Sequence, residues 1–207
     1  IWSNQPRITD DEFSQWCIAL DTEIIKANNL EAGTTMTGCI VYPSSKTEHE
    51  VQMFNLGDSR TYLVLEDRLF FQTTDHKPQM PLENDRIIKT GYVQNNRVNG
   101  QLAVSRAFGD NNYKHRHMMQ NMPYENLPVI AVPEMSARTI AVPFSVVLTC
   151  DGIHEAKYDS PEEFKELFKS ATNTHHHAFA FCKAAIDSNT TDNISCIVSH
   201  FTTTEQE

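Results

Sequence analysis

Closely spaced runs of β-branched and aromatic residues constrain the fold of this chain more than any other feature. Three runs, GTTMTGCIVYP, EVQMFNLGDSRTYLVLED and RLFFQTTD, follow one another between residues 33 and 75. Turn-forming residues at 43–46 and 66–67 separate them, and connections this short join neighbouring antiparallel strands. The pattern therefore predicts three consecutive antiparallel strands, with one strand in each run.

Segments with helical periodicity lie before and after these runs. Residues 10–29 carry apolar side chains at steps of three, four and one behind acidic residues, which predicts a helix with one buried face. Three further helices are predicted over 81–93, from Ser160 onward and over 175–189. Three further strands are predicted over 135–143, 144–151 and 193–201. Antiparallel sheets with helices segregated beside them indicate an α+β fold.

Residues 111–128, NNYKHRHMMQNMPYENLP, interrupt the regular pattern. The segment is rich in Asn, His and Met and ends near prolines, which predicts a long, flap-like surface excursion of the kind that often borders a site. The 207 residues show no internal repeat, low-complexity linker or second set of elements. One domain is therefore predicted over 1–207, with the excursion inside it.

The composition limits the partners and the compartment of the chain. A formal net charge of −10 provides no positive field for phosphate backbones, which argues against nucleic-acid binding. The five cysteines include no CxxC pair, so neither a disulfide framework nor a zinc ribbon is indicated and a reducing cytoplasm is favoured. No run of about 20 apolar residues and no signal-peptide pattern occurs, so no membrane partner is expected.

Three aspartates, Asp75, Asp151 and Asp192, stand at predicted strand ends beside turn-forming or polar residues. Mg²⁺ and Mn²⁺ prefer carboxylate and water oxygens, so a few such side chains are sufficient for a metal site. Taken singly, an Asp at a strand end is more often a turn or cap residue that bonds to backbone N–H groups. Asp151 is the exception, since it follows the apolar run FSVVLTC and precedes Gly152, which permits close backbone approach.

Six short motifs occur in order along the chain. They are GDSR at 57–60, DHKP at 75–78, PLENDRI at 81–87, RVNGQLAVSRAFGD at 97–110, DGIHE at 151–155 and TDNIS at 191–195. Each is weak alone, but the ordered set resembles the type 2C metal-dependent protein serine/threonine phosphatases over nearly the whole chain. The resemblance implies a four-layer sandwich of two antiparallel β-sheets flanked by α-helices, which agrees with the α+β fold predicted above.

The resemblance also implies a metal centre and a reaction. Asp151 and Asp192 match family ligands of two Mn²⁺ or Mg²⁺ ions, while Asp75 with Asp151 matches a third, weaker metal position near Thr35. In the family, the ions activate a water that attacks the phosphorus atom in line, without a phosphoenzyme. The expected function is hydrolysis of phosphoserine or phosphothreonine in protein substrates, with Asp75, Asp151 and Asp192 as metal ligands and no side chain assigned as catalytic.

Arg60 in GDSR and Arg106 in SRAFGD suggest a catalytic role, because a guanidinium suits bidentate phosphate contact. In the family these motifs chiefly brace the sheets, so Arg106 and the pair formed by Asp58 and Arg60 are predicted to be structural. His76 and His154 are also left out of the site, because a histidine in such a turn more often packs or bonds locally.

The chain departs from the family pattern in one major respect. It contains no DGHGG-like segment, which in the family provides a bridging aspartate, a carbonyl ligand and a histidine. The expected domain is therefore N-terminally incomplete. In DGIHE, Glu155 occupies the second acidic position with one extra methylene, and His154 stands where an aromatic residue is usual.

Two functions other than the phosphatase stay open. A catalytically inactive pseudophosphatase would keep the fold and act as a scaffold, and a metal-binding structural subunit would serve in a larger assembly. Retention of Asp75, Asp151 and Asp192 favours the enzyme, because a scaffold has no need of metal ligands.

Overall fold

The computed structural model of the chain describes residues 6–27, 31–65, 68–114, 118, 120–172 and 177–203. The helices are α1 (Asp10–Ala27), α2 (Pro81–Ile87), α3 (Asp151–His154), α4 (Pro161–Thr172) and α5 (His177–Asp187). The strands are β1 (Gly33–Thr34), β2 (Met36–Pro43), β3 (Glu48–Leu56), β4 (Arg60–Leu65), β5 (Arg68–Gln72), β6 (Val93–Gln94), β7 (Arg97–Val98), β8 (Phe108–Gly109), β9 (Glu134–Ala141), β10 (Phe144–Thr149) and β11 (Cys196–Phe201). Among these described residues, two short 3₁₀ turns cover Asn111–Tyr113 and Tyr124–Asn126.

The long strands form two antiparallel sheets. One has the order β2-β3-β9, and the other has the order β11-β10-β4-β5. Strands β6 and β7 form a separate hairpin, and β1 pairs with β8. Because helices and antiparallel sheets are segregated along the chain, the α+β class predicted from the sequence is confirmed.

The two sheets pack face to face around an apolar core. Val51 and Met53 of β3 contribute from the first sheet, while Leu63 of β4 and Val146 of β10 contribute from the second, and all four are buried. This arrangement follows from the alternation of inward and outward side chains along each strand. The core between the sheets therefore supports the loops at the strand ends.

Helices cover the outer faces of both sheets and complete the four-layer sandwich. Phe164 of α4 stacks on Tyr62 of β4, with ring centroids 3.9 Å apart, and α5 packs on the same face of the sheet. On the opposite side, Phe13 of α1 contacts Phe54 of β3, with ring centroids 4.9 Å apart. No helix among the described residues has both the length and the apolar composition needed to span a bilayer.

The run EVQMFNLGDSRTYLVLED forms two strands, so the prediction of a single strand there was wrong. Strand β3 ends at Leu56 and pairs within the first sheet, whereas β4 begins at Arg60 and belongs to the second. Gly57 makes the crossing with a φ of +97°, a conformation that other residues adopt only with strain. The crossing places Asp58 at the end of both sheets.

The described ends of the predicted 111–128 excursion are anchored in the protein. Lys114 and Leu127 are both fully buried, and Lys114 Nζ donates to the Asp21 carboxylate of α1 at 2.8 Å. Tyr124 donates to the same carboxylate. Residues 115–117 and 119 lie outside the described residues, so the flap-like character of the whole segment stays a prediction.

Glu83 of α2 joins that helix to the SRAFGD motif. Its buried carboxylate accepts hydrogen bonds from Arg86 at 2.8 Å, Arg106 at 2.6 Å and Ser105 at 2.6 Å. Burial opposes ionisation, but the hydrogen bond from Arg106 and the charges of both arginines lower the pKa of Glu83 to about 2. Arg106 also donates to the Val132 carbonyl oxygen, so its contacts are those of a structural residue.

The Glu83 carboxylate is expected to stabilise the fold above pH 4.5 and to lose this contribution as the pH falls toward 2. The pKa of Glu83 in the folded protein is about 2, below its ordinary value of 4.5, so the unfolded chain takes up the proton first. The linked free energy of unfolding at neutral pH is on the order of 3 kcal/mol.

Urea unfolding between pH 7 and pH 3 measures this contribution. The free energy of unfolding should fall more steeply with acid for the wild type than for Glu83→Gln. Glu166→Gln, on the exposed face of α4, is the matched control and should keep the wild-type slope. Equal slopes for all three proteins would contradict the assignment.

Candidate metal centre

Three strand ends meet at one edge of the four-stranded sheet. Thr149, at the end of β10, lies opposite Arg60 at the start of β4, and β11 begins opposite the same Thr149. Because these strands are antiparallel neighbours, the chain leaves β10 at the edge where it enters the other two. The loops that carry Asp58, Asp151 and Asp192 therefore converge.

A cluster of three carboxylates occupies this edge. Asp58, Asp151 and Glu155 each offer a carboxylate oxygen, and these oxygens lie within 4.8 Å of one another. Asp151 begins α3, and the Glu155 N–H bonds to the Asp151 carbonyl oxygen at 2.9 Å, which places both residues on one side of the turn. Hard divalent cations prefer such a set of oxygens.

Asp192 is held against this cluster by close contact between two loops. A Cβ atom at Gly152 would overlap the Asn193 carbonyl oxygen, so only glycine permits the loops to approach this closely. The Cys150 thiol accepts the Ser195 N–H at 3.1 Å and donates to the Asn193 carbonyl at 3.3 Å. These contacts fix the loop after Asp192 beside the start of α3.

Lys77 of the DHKP motif is shared between two carboxylates of the cluster. Its Nζ donates to Asp58 Oδ2 and to Glu155 Oε1, both at 2.6 Å. Burial acts to lower the pKa of Lys77, but these two hydrogen bonds raise it above its ordinary value. One ammonium group between two carboxylates leaves excess negative charge in the cluster.

Burial and the excess negative charge of the cluster both raise the pKa of Asp151. Burial, followed by the negative charge of Asp58 and then that of Asp192, raises the pKa of Asp151 to about 6. A divalent cation would favour the ionised carboxylate, because opposite charge at close range stabilises the charged form. The donor set and its charge therefore suit Mg²⁺ or Mn²⁺.

Asp75 occupies a different environment from the other two predicted ligands. Its carboxylate accepts hydrogen bonds from Arg60 Nε at 2.7 Å and Arg60 Nη2 at 3.0 Å. Arg60 therefore pairs with Asp75, whereas the sequence suggested Asp58, which instead pairs with Lys77. The structure thus brings Asp151 and Asp192 together and places Asp75 in a neighbouring salt bridge.

His154 and His76 are both buried beside these groups. Burial, followed by the charge of Arg60, lowers the pKa of His154 to about 3, so its ring is neutral at physiological pH. The ring atom Nδ1 of His76 accepts a hydrogen bond from the backbone N–H of Gly57 at 3.1 Å. The backbone N–H of His76 donates to the Gly57 carbonyl oxygen at 2.9 Å. Thr35 also supports this turn through a 2.8 Å hydrogen bond to Ser59.

A cavity of about 370 Å³ opens over the cluster. Asp151, Glu155 and Asp192 line this cavity, and Arg97 contributes from the β6–β7 hairpin. The hairpin turns at Asn95 and Asn96, whose φ values of 53° and 59° fit a two-residue turn with both residues in the left-handed region. The turn therefore lies at the same cavity as the carboxylate cluster.

Sequence reasoning did not assign three of the residues at this site: Asp58, Lys77 and Arg97. The Asn-Asn pair between Val93-Gln94 and Arg97-Val98 is a recognisable hairpin signal. Asp58 follows a glycine in the middle of an apolar run, which is a signal for a strand break. The convergence of these segments depends on pairing across the sheet.

Comparison with known proteins identifies the family. Residues 6–194 match the family model described as Protein phosphatase 2C. The chain therefore belongs to the protein phosphatase 2C family. The fold and the acidic cluster described above are consistent with this membership.

Individual relatives share about a third of their aligned residues with the chain. Protein phosphatase 1A of Bos taurus is 34% identical over 177 residues, which cover 82% of this chain and 44% of that protein. Protein phosphatase 1B of Mus musculus is 36% identical over 176 residues, covering 82% and 43%. The chain thus spans less than half the length of the curated relatives it matches.

Solved structures share the architecture. A crystal structure of a phosphatase from a pathogenic strain of Toxoplasma gondii superposes with a TM-score of 0.84 and 27% identity, covering 98% of this chain and 78% of that one. A Mycobacterium tuberculosis serine/threonine phosphatase, PstP/Ppp, superposes with a TM-score of 0.58 and 17% identity, covering 93% and 71%. The second likeness concerns the fold alone.

Proposed function

We propose that the protein containing this chain is a metal-dependent protein serine/threonine phosphatase, which hydrolyses phosphoserine or phosphothreonine in protein substrates. The observation that carries the proposal is the set of carboxylates at converging strand ends, in a chain of the protein phosphatase 2C family. Asp58, Asp151 and Glu155 lie close enough to share a cation, and Asp192 lines the same cavity.

The donor set supports Mn²⁺ or Mg²⁺ as the cofactor. Carboxylate oxygens suit these hard cations, whereas softer ions favour the nitrogen and sulfur ligands that this cluster lacks. When bound, the ions would supply Lewis acidity toward phosphoryl oxygens and lower the pKa of a coordinated water. We propose Asp151 and Asp192 as ligands, together with Asp58 and Glu155.

Asp75 has a different proposed role from the one suggested by the resemblance. We propose that Asp58, rather than Asp75, holds the additional metal with Asp151. The reason is that both carboxylate oxygens of Asp75 accept hydrogen bonds from Arg60, whereas Lys77 bonds to only the Oδ2 atom of Asp58, which lies in the carboxylate cluster. The salt bridge of Asp75 with Arg60 would then stabilise the loop that carries Lys77.

Two basic side chains have separate proposed roles: Arg97 would contact the substrate phosphate, and Lys77 would hold two carboxylates of the cluster in place. Arg97 is exposed beside the cluster, and its guanidinium suits charge-assisted contact with phosphoryl oxygens. Lys77 keeps the Asp58 and Glu155 carboxylates together through its two hydrogen bonds.

We place the protein in a reducing cytoplasm, since its five cysteines are free thiols.

Removal of the metal is expected to abolish the activity of the full-length protein. Hydrolysis of a phosphothreonine peptide should fall by at least about 100-fold after dialysis against chelator, because the cation supplies the charge that the reacting phosphate requires. Adding Mn²⁺ or Mg²⁺ to the dialysed protein should restore turnover. Phosphate release, measured beside the metal content of the same samples, tests the proposal.

Two outcomes would redirect the interpretation. Undiminished turnover in protein shown to be free of metal would contradict a metal-dependent mechanism. No turnover with any metal, together with tight binding of a protein partner, would favour the scaffold or the subunit of a larger assembly.

A further inference from the structure

A second cavity adjoins the proposed metal centre. Its volume is about 720 Å³, within the range of roughly 300–1,000 Å³ that is common for ligand pockets. Lys77, Gln79 and Glu155 line both this cavity and the one above the cluster. We call the second cavity the Asp159 pocket, because Asp159 lines this cavity and not the one above the cluster.

The cations of the Asp159 pocket are each shared by two carboxylates. Arg60 pairs with Asp75 and with Asp159, the latter at 2.7 Å. Lys77 pairs with Asp58 and Glu155, both at 2.6 Å. Each group of three charges therefore carries a net negative charge, which a cationic ligand would offset.

The carboxylates are also the charges that a ligand meets first. The side chains of Asp159 and Glu155 are 70% and 51% exposed, whereas those of Arg60 and Lys77 are only 11% and 18% exposed. The remaining Nη1 atom of Arg60 is buried and cannot reach a ligand in the pocket. The accessible surface therefore favours a cation over a second phosphate.

The neutral lining suits a long basic side chain. Met80 is 40% exposed at the pocket and offers apolar surface for a methylene stem. Gln72 and Gln79 supply amide oxygens that accept hydrogen bonds from an ammonium or guanidinium group. Lysine and arginine side chains both combine a methylene chain with an ammonium or guanidinium group.

We infer that the Asp159 pocket binds a Lys or Arg side chain of the protein substrate, near the phosphorylated residue. The inference rests on the proposed phosphatase function, since continuity with the metal centre is what links the pocket to substrate. The two cavities share Lys77, Gln79 and Glu155, and an extended peptide advances about 3.3 Å per residue, so a residue close in sequence to the phosphorylated one would reach the pocket. Asp159 is then a specificity-determining residue.

Three phosphothreonine peptides test the inference on the full-length, metal-loaded protein. They are identical except that the residues flanking the phosphothreonine within three positions are Lys, Ala or Glu. The ratio of kcat/KM between the Lys and Glu peptides should be about tenfold for the wild type, as expected for a partly exposed ion pair set against a like-charge contact. Asp159→Asn should reduce this ratio, and Asp159→Lys should reverse it.

A matched control separates local charge from total charge. Glu162→Lys changes the net charge by the same amount as Asp159→Lys, on an exposed position of α4 outside the pocket, and should keep the wild-type ratio. Arg60 keeps its pair with Asp75 when Asp159 is replaced, so the variant should fold, and thermal unfolding verifies this. A ratio near one in the wild type would overturn the inference, as would equal effects of the two Lys variants.

Peptide binding keeps this test independent of turnover. Fluorescence anisotropy with the same three peptides, labelled and mixed with metal-loaded protein under conditions without hydrolysis, reports their affinities directly. Tighter binding of the Lys peptide, lost in Asp159→Lys, supports the pocket assignment. Equal affinities overturn it, whereas absence of turnover with preserved selectivity in binding counts against the proposed phosphatase function alone.

Discussion

Replacing Asp151 by Asn is expected to remove metal binding and nearly all activity while the protein stays folded. Asp151 lies beside Asp58 and Glu155 in the carboxylate cluster and lines one cavity with Asp192, so its carboxylate is common to all the proposed ligands. The loss of kcat/KM should exceed the roughly 10–100-fold that follows removal of a residue that merely supports a ligand. Phosphopeptide turnover and Mn²⁺ titration by calorimetry measure the two effects.

Two further variants define the specificity of this result. Asp187→Asn makes the same chemical change on exposed α5, where Asp187 pairs only with Lys183 among the described residues, and should leave both measurements unchanged. Asp58→Asn should resemble Asp151→Asn if Asp58 holds metal, whereas a purely structural Asp58 would lower the unfolding temperature and leave metal affinity intact. Wild-type metal affinity in Asp151→Asn would overturn the assignment of the centre.

Replacing Lys114 by Met is expected to cause the largest loss of stability among single substitutions at the described charged groups. Lys114 and Asp21 are both fully buried, and Lys114 Nζ contacts both Asp21 oxygens, at 2.9 Å and 2.8 Å. Removing one partner leaves a buried charge without its counter-ion, which costs about 3–5 kcal/mol. The unfolding temperature should fall by roughly 10 °C for a chain of this size.

The surface pair of Lys183 and Asp187 provides the control for Lys114→Met. Both of its side chains are well exposed, and Lys183→Met should change the free energy of unfolding by less than about 0.5 kcal/mol. Adding Asp21→Asn to Lys114→Met should recover part of the loss, because it removes the unpaired charge. Similar small effects of both lysine substitutions in urea unfolding would show that the buried pair contributes little.

The position of the strands illustrates where sequence reasoning succeeded and where it stopped. Alternating apolar residues and turn signals located the extended segments, because this pattern is local. They did not separate β3 from β4, since apolar residues predominate on both sides of the GDSR motif between Val51 and Leu65 and no proline interrupts the run. The choice of sheet depends on partners far along the chain, β9 for β3 and β10 for β4.

The aspartates of the site show the same division. Asp151 and Asp192 were proposed from motifs, and the structure places them in one cavity. Asp75 was proposed in the same way, yet Arg60 binds its carboxylate. Which carboxylate faces the cluster depends on the Lys77 bridge between Asp58 and Glu155, and Lys77 and Glu155 are 78 positions apart in the sequence.

The sequence by itself determined the α+β class, the order of the principal helices and strands, and the family to which the motifs point. These properties follow from hydrophobic periodicity and from short motifs, and both are local patterns in the sequence. The tertiary structure alone decided that β3 and β4 separate into two sheets, that Asp58 joins Asp151 and Glu155, and that Lys114 pairs with Asp21 across 93 positions. Such contacts form only when packing of the sandwich core brings distant strand ends together, and no local pattern specifies them.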